Sequence, residues 1–389
     1  MGSYSNMTIS DYPIFDVKNG YYEDLVKILF LPDDFIVKKE SNSTRNKFVW
    51  GDAFDNDNGS YSFKGFRQTV KNCKERLEIY GASALNAKKD FNNAKKISKQ
   101  EEFYSFSLNK VTYDEYLVEI SKIIESKEKT YDELNTNFKE SLISGDLGIY
   151  GQSTLYHLYS ILSVLPADSI VEYDLTEIIN GGWVKENEVN KIEFEKIIVL
   201  TEGKTDVEFI SLSLQKLFPH LREYYHFINF DEYKVESNAS ALVKLIISLA
   251  ASNIKHPIIA LFDNDTTGLM EMKKLTTLKL PNNFRVLKYP DIPLAKKYPT
   301  IGPTGIKKMN INGLACGIEM YFGNDILTKE SELIPIHWKA FNEKEKKYQG
   351  EISEKKYVQE EFRKKIKISG HTELSEMNSL LNEMFNAYK

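Results

Sequence analysis

The sequence has few cysteines, which excludes two kinds of protein. Cys73 and Cys316 are the two cysteines among 389 residues. One chain can therefore build neither a disulfide framework nor a four-thiolate zinc site. We expect a protein of a reducing compartment.

Long apolar segments are also absent. A transmembrane helix needs about 18 consecutive apolar residues, whereas Lys244 interrupts the most apolar stretch, residues 241–251. The first residues lack a signal-peptide pattern, and Asn6 stands where a myristoylation motif needs Ser or Thr. We expect a cytoplasmic protein without a membrane partner.

Neither sign of charge is in large excess. The chain has 51 Lys and Arg against 56 Asp and Glu, a net charge of −5. This balance excludes nucleic-acid binding through a strongly basic tail, although a local basic patch remains compatible with it. The segment 302–308 has the wrong spacing for a phosphate-binding P-loop, so ATP hydrolysis would need a partner.

The first half of the chain has two patterns. Residues 1 to about 60 contain short aromatic segments broken by Gly, Pro, Asn and Asp, which predicts short strands and turns. From residue 60 to Tyr80, apolar residues recur at helical spacing and Gly81 follows them. Further helices are predicted at 84–97, 113–127, 131–144 and 152–165. Residues 60 to 170 are therefore predicted to form a helical bundle.

The second half alternates between strand and helix patterns. Strands are predicted at 196–200, 225–230, 257–262 and 284–289. Helices are predicted at 205–218, 238–252 and 266–278. Parallel strands need such crossovers, so we expect a four-stranded parallel sheet. The fold class is α+β overall, with domains at 1–185, 190–325 and 326–389. The last is predicted to be helical, with a solvated charged face at 355–367.

The first motif with catalytic chemistry is Thr201-Glu-Gly-Lys-Thr-Asp206, between a predicted buried strand and a helix. Ligand sites of open parallel sheets lie beyond the carboxyl ends of the strands, which is where Glu202 falls. Asp206 falls in the first helical turn, where the helix dipole favours a carboxylate. The alternative is a plain helix N-terminus with acidic residues in its first turn.

The second motif, Asp263-Asn-Asp-Thr-Thr-Gly268, also follows a strand and opens a helix. Asp263 and Asp265 can converge where the chain leaves the sheet, and carboxylate oxygens of this kind suit Mg²⁺. The alternative is a turn rich in Asp and Asn.

Together, the two motifs resemble the TOPRIM domain of topoisomerases, bacterial primases and OLD-type nucleases, over roughly residues 195–325. The resemblance implies that Glu202 is the general acid or base and that Asp263 and Asp265 bind Mg²⁺, with Mn²⁺ as the alternative ion. It implies that Asp206, counted with these three as catalytic, is a supporting ligand or an orienting residue. Glu202 is also included among the metal ligands.

Gly317-Ile-Glu-Met-Tyr-Phe322 resembles an Ile-Glu-x-Tyr element of OLD-like nucleases. This resemblance implies that Glu319 approaches the same site and supports a second metal ion. The alternative is a surface Glu in an apolar segment.

The first 15 residues and the helical region resemble the N-terminal domain of bacterial HEPN/TOPRIM-associated proteins. HEPN ribonucleases use Arg followed four to six residues later by His, whereas here no His precedes His157 and no Arg lies between Arg76 and Arg222. We therefore expect this half to be a scaffold, a dimerisation domain or an RNA-docking module, in a homo-oligomer. His157 is predicted to be a core residue.

Two basic stretches stand out from the acidic background. Residues 62–99 hold ten Lys or Arg against three acids, and residues 285–308 hold six against one. A polyanionic substrate would need such stretches, although either could be a solvated face. The predicted substrate-binding residues are Lys204, Lys296, Lys297, Lys307 and Lys308.

These observations predict a Mg²⁺-dependent TOPRIM endonuclease. By resemblance, its substrate is RNA, with tRNA favoured, and its role is that of an anti-phage effector. One alternative is a DNA-nicking or DNA-degrading nuclease of the OLD kind. The other is a non-catalytic module for nucleic-acid sensing or assembly. A topoisomerase and a primase are disfavoured, since the chain has little room for a strand-passage domain and nothing resembling a primase zinc module.

Overall fold

The structure is a computed structural model that describes residues 2–129, 136–189, 191, 196–228, 230–232, 234, 236–368 and 374–389. The chain divides into two compact units, Met1–Phe194 with Tyr388–Lys389, and Glu195–Ala387. Part of the predicted helix 131–144, and residue 190 at the predicted start of the second domain, lie outside the described residues. No helix within the described residues combines the length and apolarity that a membrane crossing needs.

The first unit contains a five-stranded antiparallel sheet in the order β2-β1-β5-β4-β3. Its strands are β1 (Tyr4–Ile9), β2 (Tyr12–Lys18), β3 (Phe35–Ser41), β4 (Ser60–Thr69) and β5 (Ile170–Asp174). The predicted short strands before residue 60 are therefore confirmed.

Nine helices accompany this sheet in the described part of the unit. They are α1 (Glu23–Leu29), α2 (Lys47–Trp50), α3 (Val70–Ile79), α4 (Ala84–Gln100), α5 (Tyr113–Ser126), α6 (Phe138–Ser144), α7 (Thr154–Ser163), α8 (Thr176–Asn180) and α9 (Glu186–Val189). The core includes Met7, Phe66 and Tyr173 from the strands, with Phe91 and Tyr116 from α4 and α5.

The prediction of one helix from residue 60 to Tyr80 was wrong in its first half, because β4 occupies residues 60–69. Phe63 and Phe66 are both fully buried, which imitates a helical spacing. Alternate residues of a strand point to opposite faces, so these two rings lie on different sides of the sheet. With β5 also unpredicted, the unit is a sheet covered by helices rather than a helical bundle.

The second unit is built on a parallel sheet, as predicted. Its strands are β6 (Ile197–Leu200), β7 (Tyr225–Phe227), β8 (Ile258–Phe262) and β10 (Phe284–Lys288), in the order β10-β8-β6-β7. The intervening helices are α10 (Lys204–Leu217), α11 (Ala239–Ala251) and α12 (Thr266–Lys273). β7 and α12 are each shorter than predicted.

The strand order places a topological switch point between β6 and β8. β7 follows β6 on one side, whereas β8 and then β10 lie on the other. A crevice forms beyond the carboxyl ends of the strands at such a point, and it is the usual ligand site of open α/β sheets. β8 is buried along its whole length, which explains its continuous apolar sequence.

The rest of the unit contains more strands than expected. These are β9 (Asn264–Asp265), β11 (Tyr298–Gly302), β12 (Gly305–Met309), β13 (Ala315–Cys316), β14 (Thr328–Lys329), β15 (Glu332–Leu333), β16 (Ile336–Asn342) and β17 (Lys347–Ile352), followed by α13 (Lys355–Lys367) and α14 (Ser375–Phe385). The all-helical prediction after residue 326 was therefore wrong. The charged residues around 345 belong to the turn of the β16–β17 hairpin.

Candidate active site

The candidate site begins at the carboxyl ends of β6 and β8, which are neighbours in the parallel sheet. Leu200 of β6 is in register with Ala260 of β8, so both chains leave the sheet at the same edge. Glu202 then reaches across, and its Oε1 accepts a hydrogen bond from the backbone N–H of Asp263 at 2.9 Å. The two predicted motifs thus meet at the switch point.

Asp206 and Asp265 also stabilise helix starts. Oδ2 of Asp206 accepts from the backbone N–H of Gly203 at 2.9 Å, and Oδ1 of Asp265 accepts from that of Gly268 at 2.7 Å. The second oxygen of Asp265 accepts from Nε2 of Gln349 at 2.6 Å. The alternative interpretation as helix caps therefore describes these hydrogen bonds correctly. It does not account for Glu202 or Asp263.

A short antiparallel pair brings Glu319 to the same place. β9 pairs with β13, with Asp265 opposite Ala315. Glu319 follows in the short 3-10 helix Ile318–Tyr321 and is 4% exposed. Its Oε1 accepts from Nε2 of Gln359 at 2.7 Å and lies 3.1 Å from Nζ of Lys355. The alternative of a surface Glu was wrong.

Gly317 keeps a space open between two of these carboxylates. A Cβ at this position would lie 3.3 Å from Oε2 of Glu319 and 3.5 Å from Oδ2 of Asp263. Two acidic oxygens thus face a gap that a side chain would fill.

Like charges and burial make ionisation costly in this cluster. Burial, and then the charge of Asp265, raise the pKa of Glu202 to about 8. Burial, and then Glu319, raise the pKa of Asp206 to about 7. Burial and the neighbouring carboxylates also hold the pKa of Asp263 well above its ordinary value. Burial raises the pKa of Asp265 as well.

The carboxylate oxygens of this cluster are ligands suited to a hard divalent cation. Oδ1 of Asp263 is buried and has no hydrogen-bond partner among the described residues, which is the state of an oxygen that a cation would satisfy. Within the described ranges, no three His, Cys, Asp or Glu side chains form a group able to hold a metal ion. Mg²⁺ commonly takes one or two carboxylates and completes its shell with waters and phosphate oxygens. The residues therefore fit a Mg²⁺ ion that takes one or two carboxylates from the protein and its remaining ligands from water and phosphate oxygens.

Several residues around the site were not predicted from the sequence. Lys355 and Gln359 contact Glu319, and Gln349 contacts Asp265. The buried hydroxyl of Tyr289 lies close enough to Asp206 to lower the pKa of that carboxyl. These residues come from segments distant in sequence, so only the tertiary structure reveals them. The expected solvated face on α13 was wrong for Lys365, which is 8% exposed. Lys355 is exposed as expected, although it pairs with Glu319.

The predicted substrate-binding lysines lie on the surface of this unit. Lys204 is paired with Asp231 at 3.3 Å. The other four are exposed, at the end of the 3-10 helix Leu294–Lys297 and on β12: Lys296, Lys297, Lys307 and Lys308. Among the described residues, none of the five has a hydrogen bond or ion pair with the carboxylate cluster.

Two residues of the first basic stretch have internal partners. Arg67 pairs with Glu40 and Glu172, and the buried Arg76 pairs with Asp34. These two side chains therefore serve the fold. His157 is 7% exposed with its ring edge-on to Phe15, as predicted for a core histidine.

The fold and site define an α+β protein that carries an acidic cluster at the switch point of a parallel sheet. Residues 1–196, just over half of the chain, match the model of the family described as HEPN/Toprim N-terminal domain 1. The chain belongs to this family, which indicates a nuclease-related function. No curated protein and no solved structure matches the chain.

Proposed function

We propose that the second unit is a TOPRIM-type, Mg²⁺-dependent endonuclease centre. The observation that supports this most strongly is the buried, unpartnered Oδ1 of Asp263, surrounded by Glu202, Asp206 and Glu319 at the switch point. A protein that needed these residues only for folding would gain stability by replacing them, because unpaired buried charges are costly.

In this proposal the carboxylates hold the ion, fix the loops and move a proton, and Glu202 can take part in two of these roles. Asp263, with Glu202 or Glu319, holds the ion, and Asp206 and Asp265 fix the loops through their helix caps. Bound Mg²⁺ would neutralise charge on the phosphate and lower the pKa of a bound water. Glu202 moves a proton at the scissile phosphate, which is the general acid or base role that the TOPRIM resemblance implies.

Lys355 adds a cation to this acidic site. Burial alone would lower its pKa, but the pull of Glu319, Asp263 and Asp206 raises it, so its ammonium stays charged. We propose that this ammonium offsets the carboxylate charge and favours approach of a phosphate.

The proposed substrate is RNA, with tRNA favoured, and the proposed role is in defence against phage. Both rest on the resemblance to HEPN/TOPRIM-associated proteins and TOPRIM effectors. Assembly into a homo-oligomer through the first unit is part of the proposal. A sedimentation mass equal to the 44.9 kDa monomer at all concentrations would contradict that part.

Parallel cleavage assays test the activity. The purified protein is incubated with total tRNA and with supercoiled plasmid, in Mg²⁺ and in chelator. We expect tRNA fragments in Mg²⁺ only, and none with Glu202→Gln. Glu361→Gln, a surface change on α13, is the matched control and should cleave like the unmodified protein. Preferential plasmid nicking would favour the DNA nuclease, and full activity of Glu202→Gln would overturn the site.

A second function, a non-catalytic binding module, is favoured by one observation. Lys355 already supplies a cation to Glu319, so an ion is not needed to balance that carboxylate. Absence of cleavage in both assays, with nucleic acid bound equally well in Mg²⁺ and in chelator, would favour this function.

A further inference from the structure

The first unit contains a cavity on the face of its sheet that lies away from the helical core. Asn6, Thr8, Glu172 and Asp174 project from β1 and β5 toward it. Asn6 is in register with Asp174, and Thr8 with Glu172, so the four form a compact polar floor. The cavity has a volume of about 290 Å³. Small-molecule pockets start at about 300 Å³, which leaves room for one small ligand.

Arg45 and aromatic rings form the wall of this cavity. The Arg45 guanidinium carbon lies 3.9 Å from the ring centre of Tyr61, 4.7 Å from that of Phe54 and 5.0 Å from that of Trp50. Tyr61 and Trp50 themselves line the cavity. Cation–π contacts of this kind hold the guanidinium plane in place.

The hydrogen-bonding capacity of Arg45 is not used up by the protein. Its Nε is buried and finds no acceptor among the described residues. By contrast, Arg67 in the same cavity makes two hydrogen bonds to Glu40 and one to Glu172. Arg67 is therefore a structural residue, and Arg45 is the cation available to a ligand.

The floor offers acceptors to a ligand. Oδ1 of Asp174 accepts from the backbone N–H of Thr176 at 2.9 Å, and the rest of the carboxylate faces the cavity side of the sheet. Burial raises the pKa of both Glu172 and Asp174. A ligand that donates hydrogen bonds would therefore stabilise the charged form of each carboxyl group.

A nucleotide combines three features that suit these residues: a flat base, an amino group and an oxygen that accepts hydrogen bonds. Its base is flat and stacks on aromatic rings or on a guanidinium plane, as unpaired bases do in RNA-binding proteins. An amino group on the base supplies donors for Asp174 or Glu172. Its phosphate or a ring carbonyl accepts from Arg45.

We propose that this cavity binds one nucleotide whose base carries an amino group. The nucleotide is either free or an unpaired residue of single-stranded nucleic acid. The proposal concerns the first unit alone and stands whether or not the second unit cleaves nucleic acid.

Isothermal titration calorimetry of the full chain with GMP, AMP, CMP and UMP tests this binding. At least one amino-bearing nucleotide should bind about tenfold or more tightly than UMP, which lacks the amino donor. Arg45→Gln should weaken that nucleotide at least about tenfold, the effect of losing one charge-assisted hydrogen bond. Lys122→Gln removes a cation from the exposed face of α5 and should leave the affinity unchanged.

Two further measurements complete the test. Asp174→Asn keeps an oxygen for Thr176 and should reduce the preference over UMP, so the test survives if Arg45→Gln fails to fold. A single-stranded hexamer of the preferred base separates the two sources. Tighter binding of the hexamer than of the mononucleotide indicates nucleic acid, and weaker or equal binding indicates a free nucleotide. Binding of none of the four, or equal binding of all four, would overturn the proposal, as would unchanged affinity in a folded Arg45→Gln protein.

Discussion

The carboxylate of Asp263 is buried at a cost in folding free energy. One of its oxygens is buried without a partner, and four other carboxylates raise its pKa further. A polar group buried without a hydrogen bond typically costs about 1–3 kcal/mol in proteins. Groups that are buried at such a cost in free energy are commonly found at functional sites.

Asp263→Asn should therefore stabilise the protein while removing the proposed function. Without divalent cations at pH 8, an amide in place of the carboxylate relieves repulsion from Glu202 and Asp206. We expect the unfolding temperature to rise by about 2–4 °C for each kcal/mol gained. Thermal unfolding in chelator measures this, and an unfolding temperature below that of the unmodified protein would contradict it.

Gly317→Ala tests the gap between two carboxylates. The residue has φ −76°, so alanine is compatible with the backbone. The added methyl group would fill the space beside Asp263 and Glu319. We expect the fold to be kept and Mg²⁺-dependent cleavage to fall at least about tenfold, the order of effect seen when catalytic positioning is disturbed.

Gly302→Ala is the control for that change. Its Cβ would meet one ordinary contact, at 3.8 Å from Trp338, and would contact none of the carboxylates. Both variants should show the same circular dichroism. Equal cleavage by the two proteins would show that the gap at Gly317 is not used.

At the level of elements, the sequence predicts the parts of the site that follow buried strands. Asp263 follows its apolar run directly and Glu202 follows its own after one residue, and parallel strands place such residues at one edge of the sheet. The contacts of Lys355 and Gln359 with Glu319 could not be predicted, because they depend on how α13 packs in the folded unit. β4 was mistaken for a helix for a similar reason, since burial on both faces of a strand hides its alternation.

Lys355→Gln tests the contribution of α13. The lysine is 44% exposed, so solvent screens part of its attraction to Glu319. Loss of the cation leaves the acidic cluster less balanced, and we expect a lower unfolding temperature in chelator than in the unmodified protein. Saturating Mg²⁺ should recover most of the difference. Melting curves with and without Mg²⁺ check both statements, and an equal loss under both conditions would mean that Lys355 acts only through packing.

At the level of the whole molecule, pH should act on the second unit through its acidic cluster. The folded-state pKa values of Glu202 and Asp206, about 8 and about 7, exceed their ordinary values of 4.5 and 3.8. The folded chain therefore binds more protons than the unfolded chain between these limits. This stability is fully present below about pH 4 and is lost as the pH rises to 8.

In chelator, the second unit should thus unfold at a higher temperature at pH 5 than at pH 8. The chain has three tryptophans, and Trp50→Phe with Trp183→Phe leaves Trp338 to report on the second unit alone. Its fluorescence during heating gives the two unfolding temperatures. Adding Glu202→Gln and Asp206→Asn should flatten the pH dependence. An unfolding temperature that is higher at pH 8 would contradict the assigned pKa shifts.

Charge over the whole chain is a poor guide to this site. A net charge of −5 includes the acidic cluster, whose members repel one another, and surface lysines with no contact to it in the described residues. The second domain is predicted to start at residue 190, close to the start of the second compact unit at Glu195, whereas the third domain predicted at 326–389 lies within that unit up to Ala387.

Binding of Mn²⁺, followed by the electron paramagnetic resonance of the free ion, tests the metal centre most directly. The unmodified protein and Glu361→Gln should remove Mn²⁺ from solution equally, and excess Mg²⁺ should release it. Asp263→Asn should bind at least about tenfold more weakly, because one charged ligand is lost. Equal Mn²⁺ binding by Asp263→Asn and the unmodified protein, or no binding by either, would contradict a divalent-metal centre at the switch point.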